Sequence, residues 1–441
     1  STHCISSAAS DVYKRQIMEY VEENDVKFIR LVFFDIFGSM KNISIISTEL
    51  PKALEYGVTF DASEINGFMN IGESDLLLKP DPSTAEILPW RPQQDRVLRI
   101  FCDICYPDGR TFEGDSRNIL KRSVDCLKEL GYSCDIGSEC KFYLFELDEY
   151  GNPTNKPHDN GTYYDVAPVD KGENIRREIC LTLEEMGIQP ESSYHQAGPG
   201  QHEIVFKYGA PVEAADHLMT FKNLVKTIAH MNGLFASFMP KPLQRQNGNG
   251  IFVNLSLYDM DGNSVIDYNN ETGSQFMAGI LNHIKEITLF LNPLTNSYSR
   301  FGEFEAPKFI TWSPQNRQQL MRIPKNLAGD CRLELRSPDG GANPYLVFAL
   351  MIYAGIDGIK NKMILGEPVN VTYKEDIEGL ECLPQNLETA VNYAKDSDFL
   401  KNVLPENILS TYIENKKIEY DKYVKARVKE QYERDLYFGS I

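Results

Sequence analysis

Four segments of the sequence carry charged or hydrogen-bonding side chains at alternate positions, the spacing that places them on one face of a β-strand. In GSECKFYLFEL, Glu139, Lys141 and Tyr143 fall on one side; in GQHEIVFKY, Glu203 lies opposite Ile204 and Phe206. In CRLELRS, Arg332, Glu334 and Arg336 share one face while Leu333 and Leu335 share the other, and in GIFVNLSLY, Phe252, Asn254 and Ser256 align. An antiparallel sheet with one face in water would give the same alternation. Gly-rich turns precede several of these strands, however, and Arg and Glu recur together in place of Lys, Thr and Ser. The pattern favours a charged concavity that holds a ligand.

The elements that must position these residues can be read along the chain. Short β-like runs (VKFIRLVFF, MKNISII, VLRIFCDIC) broken by turns suggest a small sheet-rich domain that ends near Cys105. Asp115 can cap a helix with Ile119, Leu120, Val124, Leu127 and Leu130 on one face, stopped by Gly131. A second helix carries Ile175, Ile179, Leu183 and Met186, and a third runs from about Val212 to Gly233. The segment from Lys416 to Leu436 has the charge pattern of one further helix. The expected division is a disordered or non-native extension over residues 1–16, an N-terminal domain over 17–105 and a larger domain over 106–441.

Composition narrows the classes of partner. Over 441 residues, 45 Lys plus Arg against 63 Asp plus Glu give a formal charge of −18, which disfavours nucleic acid and anionic lipid. The longest apolar stretch, near Val347 to Ile356, is too short to span a bilayer. Nine scattered cysteines do not form a disulfide framework, and the expected compartment is the cytoplasm. Cys102 and Cys105 form a CxxC inside a strand-like run, where two thiols on opposite faces are the preferred reading over a metal or redox pair.

Three long runs carry a resemblance: SFMPKPLQRQNGNGIFVNLSL, NSYSRFGEFEAPKFITWSPQNRQQLMRIP and CRLELRSPDGGANPYL. They look like signature blocks of glutamine synthetase, specifically the bacterial type I enzymes. TFDASEINGFMNIGESD, PDGRTFEGDSRNILKR and SSYHQAGPGQHEI extend the likeness to nearly everything from Val26 on. The short segment between Gly366 and Leu383 resembles the form that lacks an adenylylation loop. The resemblance implies an α+β fold: a β-grasp-like N-terminal domain plus a larger domain whose curved antiparallel sheet is flanked by helices, assembled as a dodecamer of two hexameric rings. It also implies condensation of glutamate, ATP and ammonium through a γ-glutamyl phosphate.

By matching motif, Arg300 and Arg336, with Asn247 and Gly248, resemble the residues that hold the amino-acid substrate, and Arg317 and Arg322 those that face the phosphates. Glu305 matches the flap carboxylate that helps deprotonate ammonium, and Asp61 the aspartate supplied by a neighbouring subunit. Glu191, Asn254 and Ser256 fall at positions similar to nucleotide contacts. Of six family metal-ligand positions, Glu139, Glu203 and Glu334 remain, while Lys141, Gln196 and Phe252 replace two glutamates and a histidine. Lysine cannot ligate while charged, glutamine is an uncharged donor and phenylalanine has no donor atom. The flap run RFGEFEAP is one residue shorter than its family counterpart, and Asn70 stands where short type I enzymes carry an arginine.

Two functions stay open on these residues. One is an ATP-dependent carboxylate–amine ligase for a glutamate-like acid, either impaired or shifted in substrate, using one Mg²⁺ or Mn²⁺ ion rather than two, with Lys141 either a fixed ammonium in place of the other or a salt bridge that fills a dead site. The second is a non-catalytic paralogue that binds nucleotide or co-assembles with an active synthetase.

Overall fold

The computed structural model describes residues 2–68, 74–325, 331–370 and 379–441, so Asn70 and part of the segment between Gly366 and Leu383 lie outside the described residues. The chain forms two compact units, Ser1–Ile119 with Glu184–Gly187, and Leu120–Leu183 with Ile188–Ile441.

The first unit opens with helix α1 (Thr2–Glu23). Residues 2–16, expected to lack regular structure, instead belong to this helix, whose Ile17 and Val21 are buried. The strands are β1 (Val26–Phe34), β2 (Met40–Ile46), β3 (Val58–Asp61), β4 (Asp75–Pro80), β5 (Glu86–Ile87) and β6 (Arg96–Cys105), with helix α2 (Leu50–Tyr56) between β2 and β3. Their order is β2-β1-β6-β4-β3, with β5 added to β6, and β1 runs parallel to β6. The aliphatic residues of β1 and β6 fill the interior: Ile29, Leu31, Leu98, Ile100 and Ile104 are fully buried. Cys102 and Cys105 are both buried cysteines of this strand, not joined in a disulfide, and burial pushes the Cys102 thiol well above its usual range. Helix α3 (Ser116–Glu129) begins where Asp115 Oδ1 accepts from the Arg117 amide at 3.1 Å, the capping expected from the sequence.

The second unit is built on a nine-stranded sheet of order β13-β14-β15-β12-β7-β10-β9, with β8 and β11 also paired to β7. The strands are β7 (Ser133–Leu147), β8 (Pro153–Pro157), β9 (Pro190–His195), β10 (Gln201–Phe206), β11 (Leu234–Ser237), β12 (Ile251–Tyr258), β13 (Trp312–Ser313), β14 (Met321–Arg322) and β15 (Leu333–Leu335). Helices α4 (Glu173–Glu185), α5 (Pro211–Met231), α6 (Glu271–Leu291) and α7 (Pro344–Lys360) accompany the strands. Apolar α7 packs on α6 so tightly that a Cβ at Gly279 would lie 2.1 Å from the Ala354 carbonyl oxygen. Each large α7 side chain buried there contributes about 1.5–3 kcal/mol of transfer free energy.

The chain closes with α8 (Leu387–Asp396), α9 (Asp398–Val403), α10 (Glu406–Lys425) and α11 (Lys429–Glu433). The single terminal helix expected over 416–436 is thus broken, because Ala426 and Val428 adopt extended backbone between α10 and α11. After the break, Tyr437 and Phe438 are buried against Tyr143, Phe145, Met239 and Leu294. Among the described residues no helix is long and apolar enough to cross a membrane.

Candidate active site

Strand register assembles the charged face. Directly opposite residues of antiparallel neighbours share a face, and the pairs Tyr194↔Glu203 and Glu203↔Lys141 make one transverse row. Glu139↔Phe252 makes a second, and Asn254↔Glu334 with Arg322↔Glu334 a third. Register therefore converges six strands on one charged cluster, which is buried rather than washed by water: Lys141 is 6 % exposed, Glu203 1 %, Glu334 2 % and Arg336 0 %.

Within the cluster every carboxylate has acquired protein partners. Glu203 accepts from Tyr194 Oη and from Gln196 Nε2, each at 2.6 Å, and lies 3.9 Å from Lys141 Nζ. Glu334 takes a fork of bonds from Arg322 Nη1 at 2.9 and 3.0 Å and pairs with Arg336. Burial alone would raise the Glu334 carboxyl, but Arg336 and Arg322 outweigh it and hold it below the usual range. Glu139 accepts from Asn254 Nδ2 at 3.0 Å, and Asn254 in turn accepts from Arg332 Nε. Desolvation first, then the neighbouring Glu203 and Glu334, push Glu139 up to about 7.

Two of the residues singled out in the sequence, Lys141 and Phe252, pack together. Lys141 Nζ sits 4.7 Å from the Phe252 ring centroid, and the Arg336 guanidinium lies 4.1 Å from it, so the ring is shared by two cations. Lys141 also donates to Glu305 at 3.1 Å. That charge, more than any other influence, lowers the Glu305 carboxyl below the usual range. Glu305 lies in a loop bonded to itself, with Glu303 N to Arg300 O and Gly302 N to Ala306 O. Lys241, a residue sequence reasoning did not single out, pins this loop through Glu303 at 2.5 Å and lies over Phe304. A Lys-Pro step carries no signal for such a role.

Beneath the loop, Lys141, Gly248, Phe252, Arg300, Glu305 and their neighbours enclose a cavity of about 20 Å³, room for roughly one water. Arg300 is buried against the Ser337 carbonyl at 3.0 Å and Asp339 at 3.6 Å. A Cβ at Gly248 would fall 2.6 Å from Arg300 Cγ and 2.7 Å from the Pro240 carbonyl oxygen, so only glycine lets the backbone pass. Asn247 accepts from Tyr143 Oη at 2.7 Å through its carbonyl. Arg336 Nε and Nη2 are buried and find no acceptor, an arrangement open to an anion.

Not every expected residue joins the cluster. Asp61 ends β3 in the first unit, where it accepts from the Ser63 amide and hydroxyl. Arg317 is exposed, though its charge reaches Glu305 and Arg322. Glu191 is exposed on β9, and Ser256 lies half-buried two residues beyond Asn254 on β12.

A second buried group, Asp159, Asp170, His195 and His202, has metal-ligand chemistry with ligand atoms within 4.8 Å of one another. Most of its polar atoms are bonded within the protein instead, the buried His202 Nε2 excepted. Arg176 forks onto Asp170 and donates to His202 Nδ1, which puts the His202 proton on Nε2. His195 meets the Gln196 carbonyl and Asp159 at its two nitrogens, so both must donate and the ring is cationic. Two carboxylates, one guanidinium and one imidazolium balance, and the group fastens the loop before α4 to β10. No short motif announced it, since its members are spread from residue 159 to residue 202.

A mostly antiparallel sheet, one face of which converges arginines on buried carboxylates, makes a candidate anion-handling site. The model of "Glutamine synthetase, catalytic domain" matches residues 113–437 and that of "Glutamine synthetase, beta-Grasp domain" residues 25–107, so the chain belongs to the glutamine synthetase family. It is 46 % identical over 424 residues to "Glutamine synthetase" of Clostridium saccharobutylicum, covering 93 % of this chain and 95 % of that one. Identity is 45 % to the Methanosarcina mazei protein of the same name (93 % and 94 % covered) and 43 % to that of Staphylococcus aureus strain Mu50 (96 % and 98 %). Among solved structures, "GmaS/ADP complex-Conformation 1" superposes with a TM-score of 0.84 at 27 % identity, over 95 % of this chain and 98 % of that chain. The expected α+β fold is the one observed.

Proposed function

We propose that the chain is an ATP-dependent ligase that activates the γ-carboxylate of glutamate or a close analogue as an acyl phosphate and transfers the acyl group to an amine. Retained Arg300, Arg322, Arg336 and Glu305 support this over the non-catalytic reading. The observation that carries it is the position of Lys141: its ammonium lies 3.1 Å from Glu305, at the flap position, and 3.9 Å from Glu203, at a family metal-ligand position.

In this reading Arg336, with two unpaired N–H groups, receives an anionic oxygen of the substrate, and Arg322 and Arg317 face the phosphates. Glu139, which among the described residues accepts only from Asn254, would hold one Mg²⁺ or Mn²⁺ whose remaining positions ATP oxygens would fill, and Glu334 would join that shell only by giving up bonds from Arg322 and Arg336. Such an ion, when bound, screens charge on the transferring phosphoryl group. A second ion does not fit beside Glu203, whose oxygens accept from Tyr194 and Gln196 and which already neighbours Lys141. Lys141 supplies fixed positive charge there and orients Glu305, which takes the proton of the attacking amine. Binding of ATP is further supported by the nucleotide complex of the GmaS neighbour. By family likeness the protein works as a dodecamer, with Asp61 reaching the site of an adjacent subunit.

The test is glutamate-dependent release of phosphate from ATP on purified protein with Mg²⁺, together with amide detection. The proposal expects both. Nucleotide binding without any glutamate-dependent phosphate release would favour a non-catalytic partner of an active synthetase.

A further inference from the structure

Three tyrosine rings crowd the edge of the site beside Glu203 and Glu305. Tyr163 and Tyr164, neighbours in the loop between β8 and α4, have ring centroids 4.0 Å apart, and Tyr194 of β9 lies 5.0 Å from Tyr164 and 6.0 Å from Tyr163. Tyr163 donates to Tyr164 Oη over 3.0 Å, and Tyr194 donates to Glu203. Two of the rings stay open: Tyr163 is 47 % and Tyr164 59 % exposed. Tyr164 holds a φ of 65°, uncommon for an aromatic residue. Partial burial, the bond to Tyr164 and the charges of Glu305 and Glu203 keep the Tyr163 phenol protonated well above its usual range. Its hydroxyl therefore lies within electrostatic reach of both carboxylates.

Those carboxylates already share the ammonium of Lys141. A bare ammonium ion arriving beside them finds their charge compensated and a like charge at close range. Gln196, where the family has a glutamate, removes a further negative charge from the same edge. An amine that carries hydrocarbon has a second source of binding, because aromatic faces cover an apolar tail and attract a cationic head.

Resting on the ligase reading above, we infer that the acyl acceptor is a primary organic amine rather than free ammonia, its nitrogen against Glu305 and its hydrocarbon tail on Tyr163, Tyr164 and Tyr194. In the transfer the amine lone pair forms the C–N bond to the γ-carbonyl carbon. The C–O bond to phosphate breaks, its electron pair leaves on the phosphate, and the amine proton passes to Glu305. ATP is the only co-reactant. Lys141, close to this nitrogen, favours the neutral form of the incoming amine, which is the form that attacks.

The experiment compares ammonia, n-butylamine and benzylamine as acceptors for the full-length protein with ATP, Mg²⁺ and glutamate, with mass-spectrometric detection of γ-glutamyl amides. The expected kcat/KM, per neutral amine, is at least about tenfold higher for an organic amine than for ammonia. Tyr164→Ala is expected to erase most of that ratio while Tyr164→Phe, which keeps the ring, retains it. A preference for ammonia, or a ratio unmoved by Tyr164→Ala, overturns the inference and leaves the ligase reading intact. So does glutamate-dependent phosphate release with no organic amide formed. Absence of phosphate release with every acceptor overturns the ligase reading itself.

Discussion

Lys141→Glu should convert a self-neutralised cluster into one that needs a metal ion. At 3.9 Å from Glu203, the lysine attracts that carboxylate by a gross ~4 kcal/mol at an effective dielectric constant near 20, and little solvent screening applies because Glu203 is 1 % exposed. Reversing the sign turns this attraction into repulsion of similar size, and Glu305 loses its partner as well. Protonation of Glu139 and side-chain relaxation absorb part of the swing, leaving a net cost of about 3–5 kcal/mol, the range seen when a buried ion pair is broken. Urea unfolding in EDTA at neutral pH should register that loss. Mn²⁺ at about a hundred times its dissociation constant should return roughly 2.7 kcal/mol, whereas wild-type protein without nucleotide should gain almost nothing. The reasoning fails if the variant is as stable as wild type in EDTA, or if wild type gains as much from Mn²⁺ alone.

Combining Lys141→Glu, Gln196→Glu and Phe252→His in one variant should raise Mn²⁺ affinity in calorimetry well beyond any single change, since ligands acting as one shell are not additive; a triple variant that binds no tighter than the best single one would argue otherwise. Glu139 gives a pH test: its folded pKa, about 7, exceeds the unfolded value, so its unfavourable contribution is absent below about pH 4.5 and complete above pH 7. In EDTA, Glu139→Gln should therefore stabilise the protein by about 1–3 kcal/mol at pH 8 and negligibly at pH 4.5, and an equal effect at both pH values would refute the assignment. Gly248→Ala forces a methyl group onto the Pro240 carbonyl and Arg300; chemical denaturation should show a loss of about 1–3 kcal/mol, with weakened glutamate-dependent turnover, and an unchanged midpoint would mean the loop yields freely.

The charged face was legible because it rests on period-2 alternation, a property any strand imposes on its sequence. Glu139, Lys141, Glu203, Phe252, Asn254 and Glu334 fell on the correct side for that reason. The capped start of α3 was equally local. What sequence could not supply was pairing across strands and loops: that Lys141 reaches Glu305, 164 residues away, or that Gln196 and Tyr194 close over Glu203. Lys241, Arg176 and the tyrosine trio escaped notice because their roles arise only from tertiary proximity. The break after Lys425 escaped too, since charge pattern alone does not distinguish one helix from two.

Isotope transfer tests the central claim most directly. Glutamate labelled with ¹⁸O in its γ-carboxylate is incubated with ATP, Mg²⁺, an amine and the wild-type protein, and the released phosphate is analysed by mass. Attack of that carboxylate on the γ-phosphoryl group carries one labelled oxygen into each phosphate released with amide. The account predicts this one-to-one transfer despite the lysine at position 141. Phosphate released without label, or no glutamate-dependent phosphate at all, would contradict it.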